Sequence, residues 1–230
     1  MQTKYSEFID ELFKNQDDNY QKFHQKLVKN NNVCIIGVRT PKLQEIAKEI
    51  SKNDIDFFIK GNKHKYYEET LIHGLIIGYK KMPIEKTFAY LDNFIPLVDN
   101  WATCDLVCAN LKVFKKEQTL GIKYIKKNLS SKNPWIIRFM IVLLLDHFIN
   151  DHYIDKILDI VRTIKNEEYY VKMALAWLIS ICYIKYPIKT EILFKENILD
   201  PWTLNKSISK ITDSKRVSIE IKTYLKTLKK

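Results

Sequence analysis

The chain enters its central helix at residues 98–105, Val98-Asp99-Asn100-Trp101-Ala102-Thr103-Cys104-Asp105. Asp99 is a favourable N-cap residue, so we expect the helix to run on from the next residue as far as Phe114. Trp101 and Asp105 are four residues apart, which places both side chains on one face of that helix. The stretch therefore predicts a helix that presents an indole beside a carboxylate.

This pair has two interpretations. A carboxylate beside an aromatic face, partly shielded from water, can stabilise a passing cation and orient a water molecule in an enzyme. The structural alternative is an acidic side chain stabilised by the dipole of the helix N-terminus, next to a tryptophan of the core. A motif this short leaves both interpretations open.

The composition favours an all-α protein. Hydrophobic residues make up 46% of the 230 residues and charged residues 28%, which is typical of a globular protein and argues against a disordered one. Only five glycines and six prolines are present, too few for the many turns of an all-β sandwich. No break in composition divides the chain, so we expect a single domain over residues 1–230.

The charge balance points to a polyanionic partner. Lys and Arg number 38 against 27 Asp and Glu, which gives a formal net charge of +11. Such an excess makes nucleic acid the first partner to consider. The alternative is a lysine-rich proteome with solvated helix faces, because Lys, Asn and Ile are all used heavily. Charge alone does not decide between the two.

The sequence predicts neither export nor a membrane span. Residues 1–7 contain no apolar signal region, and the longest apolar run, residues 139–145, is much shorter than the ~20 residues that a span needs. We therefore expect a cytoplasmic protein with reduced cysteines. Cys104 and Cys108 lie one helical turn apart without further ligands at zinc spacing, so they are predicted to be small buried residues rather than metal ligands.

Helix start and stop signals recur along the chain. Thr40 is a predicted N-cap with Pro41 in the first helical position, and Asn133-Pro134 and Asp200-Pro201 repeat this combination. Gly61 is predicted to end a short helix that starts at Asp54. Apolar spacing predicts further helices at residues 8–13, 20–28, 64–80, 120–129, 167–186 and 218–228, with a break at Asn30-Asn31-Asn32.

These signals amount to about a dozen helices of roughly 10 to 18 residues joined by short turns. Antiparallel helix pairs stacked side by side would form a curved superhelix, the α-solenoid architecture. No self-similarity with a period of about 40 residues is evident, so the repeat is inferred from the number of helices. A compact irregular bundle is the alternative.

Two further side chains are unusual for their helices. Arg138 interrupts the hydrophobic stretch 135–142, where a guanidinium needs a partner because an unpaired buried charge is costly. A salt bridge to Asp105 or Asp146 and a contact with a phosphate both satisfy this need. Trp177 lies in a run of alanines, where its indole either stands in a groove or fills the core.

Five segments taken together resemble the HEAT-like-repeat DNA glycosylases of the AlkD family. They occur in the order in which that family carries them. The matching segments are residues 37–43 (GVRTPKL), 98–101 (VDNW) with Asp105, 135–139 (WIIRF), 169–177 (YYVKMALAW) and 205–211 (NKSISKI).

The resemblance implies a HEAT-like helical-repeat fold that holds duplex DNA by its backbone and hydrolyses the N-glycosidic bond of N3- or N7-alkylated purines without base flipping. It implies that Asp105 is the catalytic carboxylate, that Trp101 and Trp177 line its cleft, and that Arg138 binds the DNA backbone. Arg39 falls where relatives carry a polar residue facing DNA, so it is also expected to bind DNA. The chemistry agrees, because a cationic purine needs no general acid and the deoxyribose cation is stabilised by a carboxylate and indole faces.

One feature of that family is missing from the sequence. Relatives place an aromatic residue of the second helix against DNA, and no tyrosine near Leu27 and Val28 matches it. No lysine stands out as a Schiff-base nucleophile, so we expect a monofunctional glycosylase that acts as a monomer without metal or cofactor. The alternative is a non-catalytic helical-repeat scaffold that binds nucleic acid or protein.

Overall fold

The computed structural model describes residues 5–28, 34–196 and 198–230, and these ranges are all-α. They contain fifteen α-helices and one short 3₁₀-helix, with no β-strand beyond two isolated bridges. The predicted fold class is confirmed. The predicted break at Asn30-Asn31-Asn32 and the first four residues of the N-terminal segment lie outside the described residues.

The chain divides into two compact units, and the first covers residues 1–117. Helix α5 is its centre, since nearly all of its residues are buried and it packs against α3, α6 and α7. The helices of this unit are α1 (Tyr5–Lys14), α2 (Asp18–Val28), α3 (Thr40–Ser51), α4 (Ile55–Gly61), α5 (Tyr67–Tyr79), α6 (Ile84–Phe94), α7 (Trp101–Asn110) and α8 (Val113–Lys116), with the 3₁₀-helix at Ile95–Leu97.

The second unit covers residues 118–230. Its centre is α12, which packs most extensively against α10 and α14 and also contacts α11 and α13. The helices of this unit are α9 (Gln118–Asn128), α10 (Pro134–His147), α11 (Ile154–Thr163), α12 (Tyr169–Lys185), α13 (Pro187–Lys195), α14 (Pro201–Asp213) and α15 (Ile219–Lys226).

The same packing rule operates inside each unit. Alternate helices form a row, α3 with α5 and α7 in the first unit and α10 with α12 and α14 in the second, while α6 packs on α5 and both α11 and α13 pack on α12. Contacts between each helix and the next but one are what a helical repeat produces. The packing is therefore compatible with a helical-repeat solenoid, and the assignment to HEAT-like repeats in one domain stays a prediction.

Several predicted helix caps are present. The Asn133 side chain accepts the backbone N–H of Trp135 at 2.9 Å at the start of α10, and the Asp200 side chain accepts that of Thr203 at 3.1 Å at the start of α14. Asp54 likewise caps α4 through the N–H of Asp56. These Asn and Asp residues define the start of each helix, because their side-chain oxygens accept hydrogen bonds from amides that the first turn leaves unpaired.

Two predicted caps are wrong by one residue. The N-cap of α7 is Asn100 and not Asp99, and the N-cap of α3 is Arg39 and not Thr40, so Pro41 occupies the second helical position. Helix α7 also ends at Asn110, before a break at Leu111, and does not reach Phe114 as predicted. Helices α8 and α13 have no counterpart in the sequence prediction.

The loop that leads into α3 is anchored by a buried carboxylate. Glu68, fully buried in the first turn of α5, accepts the backbone N–H groups of Ile36, Gly37 and Val38 at 3.0, 2.8 and 3.3 Å. Gly37 has φ = +102°, and a Cβ there would lie 2.7 Å from Cβ of Gln21, so only glycine fits. Burial raises the pKa of Glu68, while its bonds to the three amides act in the opposite direction.

Its neighbour Glu69 is equally buried and sets the start of α5. The Glu69 carboxylate accepts the backbone N–H groups of Lys65 and Tyr66 at 2.8 and 2.9 Å and the hydroxyl of Tyr5 at 2.9 Å. Helix α5 consequently begins at Tyr67, three residues later than the sequence predicts.

The prediction that Cys104 and Cys108 are small buried residues is confirmed. All four are free thiols, and Cys104 and Cys108 are fully buried in α7. Burial raises the pKa of the Cys182 thiol to about 12, so this cysteine is a neutral core residue. The described residues contain no group of three or more His, Cys, Asp or Glu side chains that could hold a metal ion.

Candidate active site

The start of α7 is held by two adjacent side chains. Asn100, only 3% exposed, accepts the backbone N–H of Thr103 at 2.9 Å, and its own amide donates to the Asp99 carboxylate at 2.9 Å. The amide of Asn100 thus joins the cap to the preceding loop. The arrangement fixes where the first turn begins and therefore where Trp101 lies.

Close packing on α5 fixes the rest of α7. A Cβ on Gly74 would overlap Cγ2 of Val107 and lie 2.5 Å from Cζ of Phe94, and one on Gly78 would lie 2.9 Å from the carbonyl oxygen of Asn110. The two glycines are one helical turn apart, so they form a shallow channel on α5 into which α7 fits. The helix that carries Asp105 cannot move away from this channel without leaving a cavity.

One side of α7 remains accessible. Trp101, Asp105 and Ala109 are half-buried at spacings of four residues, whereas Cys104 and Cys108 face the core. The structure therefore brings Trp101 and Asp105 together on the accessible stripe of one helix, as their spacing predicts. A partly shielded carboxylate with an indole one turn away can stabilise a cation that approaches the stripe.

Arg138 on α10 belongs to the second unit and is 3% exposed. Its Nη1 donates to the backbone carbonyl of Tyr170 on α12 at 2.7 Å, and its guanidinium carbon lies 5.9 Å from the centroid of the Tyr170 ring. This contact with the first turn of the neighbouring helix was not predicted. It orients the guanidinium and gives the buried charge a polar partner.

Trp177 lies on the accessible stripe of α12. Tyr170, Met173 and Trp177 are half-buried at spacings of three and four residues, while the alanines between them are buried. The indole is thus partly accessible and is not a fully enclosed core residue. Because α10 and α12 are packed neighbours, Arg138 and Trp177 lie on adjacent helices of this unit.

Four aromatic rings line the first turns of α10, α12 and α14. Trp135 lies 5.0 Å from Tyr170, Tyr170 lies 5.2 Å from Tyr169, and Tyr169 lies 5.7 Å from Trp202, measured between ring centroids. Lys172 stands over the Trp202 ring at 5.6 Å. Such aromatic pairs add stability beyond the area they bury, so this aromatic row helps to hold the carbonyl that Arg138 contacts.

Arg39, in the first unit, lies at the start of α3. Its side chain is 64% exposed and forms an ion pair with Asp17, with Nη2 and Nε at 2.7 and 3.0 Å from Oδ2. The guanidinium carbon stands 5.3 Å from the centroid of the Tyr20 ring. A hydrogen bond from the backbone of Tyr20 and the bond from Arg39 lower the pKa of the Asp17 carboxyl.

Tyr20 has no functional role predicted from the sequence. It lies in the first turn of α2, half-buried, with its hydroxyl 3.4 Å from Oγ1 of Thr40. The second helix thus carries an aromatic residue near its start and not at Leu27 or Val28. The sequence signal available was the preceding Asp17, whose side chain accepts the backbone N–H of Tyr20 at 2.9 Å as an N-cap does.

The site residues are distributed over both units. Trp101 and Asp105 share one stripe of α7, and Arg39 stands at the start of α3, with α3 and α7 both packed on α5. Arg138 and Trp177 lie on the adjacent helices α10 and α12 of the second unit.

A comparison with known proteins now gives the class. The sequence profile of the family described as DNA alkylation repair enzyme matches residues 8–211, from α1 to α14. The chain therefore belongs to the DNA alkylation repair enzyme family, and its substrate is DNA. No curated protein matches the sequence significantly. None of the helices in the described ranges is both long enough and apolar enough to cross a membrane.

Proposed function

We propose that this protein is a monofunctional DNA glycosylase that hydrolyses the N-glycosidic bond of cationic N3- or N7-alkylated purines in duplex DNA without flipping the base. The observation that carries the proposal is the pair Trp101 and Asp105, side by side on the accessible stripe of α7 in a DNA alkylation repair chain. The proposal includes a cytoplasmic monomer that needs neither metal nor cofactor.

The chemistry of the leaving group decides what the protein must supply. Alkylation at N3 or N7 makes the purine cationic, so the bond between C1′ and nitrogen breaks with both electrons going to the purine, which leaves as a neutral base. The positive charge passes to the deoxyribose, and water then adds to C1′ and loses a proton. No general acid is required, and stabilising the sugar cation becomes the main catalytic task.

Asp105 is proposed to carry that task. Its carboxylate supplies a negative charge opposite the sugar cation and can orient the attacking water. The electron-rich face of the Trp101 indole adds a cation–π attraction, and Trp177 is proposed to do the same from the accessible stripe of α12. A base that need not leave the stack requires no enclosed pocket, which suits side chains on open helix faces.

Arg138 and Arg39 are proposed to bind the DNA backbone. A guanidinium is suited to this because its planar fork matches phosphate oxygens. Arg39 has the exposure for such a contact, and its cation–π contact with Tyr20 keeps the guanidinium oriented at the start of α3. Arg138 is held by the Tyr170 carbonyl, so its contribution depends on the junction of α10 and α12.

The test is base release from alkylated DNA. Purified protein is incubated with a duplex treated with a methylating agent, and the bases released are separated by chromatography, with untreated duplex as the control. We expect N3-methyladenine or N7-methylguanine to appear only from the treated duplex, and no covalent adduct to be trapped by borohydride. Duplex binding without base release would support the non-catalytic scaffold instead.

A further inference from the structure

The first unit contains a groove that the proposed glycosylase function does not use. It lies between α1, α3 and α4 and has a volume of about 800 Å³. Its floor is apolar and includes Phe57, which is 45% exposed although it is a large aromatic residue. The apolar side chains that line it are Phe8, Ile46, Ile50, Phe57 and Phe58.

The rim of this groove carries a net negative charge, whereas the whole chain is positively charged. Five acidic and two basic side chains line it, whereas the whole chain carries 38 basic and 27 acidic residues. The charged lining residues are Glu7, Glu11, Glu45, Glu49 and Asp54, against Lys42 and Lys60. Phosphate groups are repelled by such a rim, so the groove is not an extension of a DNA-binding surface.

Two of the rim carboxylates, Glu45 and Glu49, lie largely in solvent. Glu45 and Glu49 are each 70% exposed, and their ion pairs with Lys42 and Lys52 join residues three apart on the surface of α3. Exposed pairs of this kind contribute little stability and exchange readily. An incoming lysine or arginine can therefore take the place of Lys42 or Lys52 in these pairs without disrupting α3.

We propose that this groove binds an amphipathic helix of a partner protein, with apolar residues on one face and Lys or Arg along both flanks. An apolar floor between helices takes side chains at helical spacings of three and four, and the acidic lining, with carboxylates from both α1 and α3, selects basic flanks. The exposed Phe57 provides an aromatic contact in the groove. The occupant is a protein segment because only a chain with its own apolar face covers the floor and pairs with the rim together.

The first measurement uses synthetic peptides with the full-length protein. A fluorescent peptide of about 14 residues spans about four helical turns. It carries Leu at alternating spacings of three and four residues, and Lys elsewhere. Its anisotropy on titration is compared with that of a peptide carrying Glu in place of Lys and of a scrambled peptide of the same composition. We expect the Leu/Lys peptide to bind at least about tenfold more tightly than either control.

Two groove variants locate the binding. Glu45→Lys combined with Glu49→Lys reverses the rim, and we expect the Leu/Lys peptide to bind about tenfold more weakly and the Leu/Glu peptide more tightly. Phe57→Ser should weaken the binding of both the Leu/Lys and the Leu/Glu peptide, because it removes an apolar contact that both need. The matched control, Glu85→Lys combined with Glu117→Lys, changes the net charge by the same amount outside the groove and should leave peptide binding unchanged.

Three results overturn the proposal. Equal binding of ordered and scrambled peptides, or equal loss in the groove and control variants, reduces the effect to general charge attraction. Self-association that the groove variants abolish assigns the surface to a second copy of this chain. Base release and duplex binding are measured on the same variants, and we expect both to persist. Peptide binding is measured without DNA, so failure of the glycosylase proposal would leave this test intact.

Discussion

Gly74 on α5 and Val107 on α7 are packed so closely that a single added methyl group at position 74 would overlap the Val107 side chain. Val107 is fully buried and follows Asp105 by two residues on the same helix. The position of the proposed catalytic carboxylate therefore depends on a glycine of another helix. Any side chain at position 74 must push α7 outward or distort α5.

We accordingly expect Gly74→Ala to destabilise the protein by roughly 1–3 kcal/mol, the usual cost of overpacking, although alanine is the better helix former. Base release should fall as well, because Asp105 moves with α7. Urea unfolding and a release assay measure the two effects. Gly61→Ala is the control, since a Cβ there meets nothing within 4 Å, and equal stability losses in both variants would contradict the packing account.

Asp105→Asn should nearly abolish base release while the fold and DNA affinity stay largely intact. The carboxylate charge opposes the sugar cation, and an amide of the same shape lacks that charge. Removing one positioned stabilising group costs roughly a hundredfold to a thousandfold in rate in other enzymes. Single-turnover release and the melting temperature are compared with wild type, and near-normal release by a folded variant would give Asp105 a structural role only.

Arg138→Ala separates two roles of a buried guanidinium. If Arg138 neutralises one phosphate, the slope of log affinity against log salt should decrease by about 0.9, without any change in sequence preference. If it only joins α10 to α12 through the Tyr170 carbonyl, the melting temperature falls and the slope stays unchanged. Arg162→Ala removes a partly exposed guanidinium that is paired with Asp159 and Glu196, and serves as the control.

The stability of the protein should fall in mild acid because of His73. This side chain is 3% exposed, and burial, with a smaller contribution from His64, lowers its pKa from 6.5 to about 3. Below pH ~6.5, His73 binds a proton in the unfolded chain but not in the folded chain. The stabilising effect is therefore complete above that pH and is lost on acidification towards pH ~3, by at most about 1.4 kcal/mol per pH unit.

Urea unfolding between about pH 7 and pH 4 tests this expectation, since one histidine contributes at most one proton to the slope. His73→Leu should flatten the dependence, and His152→Leu, which changes an exposed histidine, should leave it unaltered. An unchanged slope in the His73 variant would show that other groups, including His24, whose pKa burial also lowers, control acid unfolding.

Local signals predicted those parts of the fold in which the chain satisfies itself. The caps at Asn133 and Asp200 were predicted from an Asn or Asp directly before proline, and each side chain bonds to an amide two or three residues away. The shared face of Trp101 and Asp105 followed from helical spacing alone. In contrast, the choice of Asn100 over Asp99 as the N-cap was not predictable, because both residues cap well and tertiary burial decides between them.

Helix α13 shows why apolar spacing did not predict every helix. Ile188 is 86% exposed and Ile192 43% exposed, whereas Leu193 and Phe194 are buried, so the apolar residues of this helix do not mark a single face. The carboxylates of Glu68 and Glu69 were missed for a related reason. Acidic residues usually lie in solvent, and only the tertiary structure brings the amides of residues 36–38 to Glu68, while Glu69 accepts the amides of Lys65 and Tyr66 just before α5.

The candidate site was predictable to the extent that it consists of residue types on helix faces. The spacing placed Trp101 and Asp105 on one helix face, and the resemblance to the AlkD family singled out Arg138 and Trp177. Neither predicted the contact of Arg138 with the Tyr170 carbonyl or the packing of α7 on Gly74. Tyr20 was not identified either, because its relation to Arg39 joins residues of two different helix starts. Contacts between distant segments cannot be inferred from a single sequence.

The three amides that Glu68 holds have a consequence for the time scale on which their loop opens. Residues 36–38 have no regular secondary structure, yet their N–H groups end on a carboxylate anchored in the central helix of the unit. Their hydrogens should exchange with solvent deuterium as slowly as those of the α5 interior. The loop thus opens as rarely as the core does, and the backbone of Arg39, the next residue, is held in a fixed position.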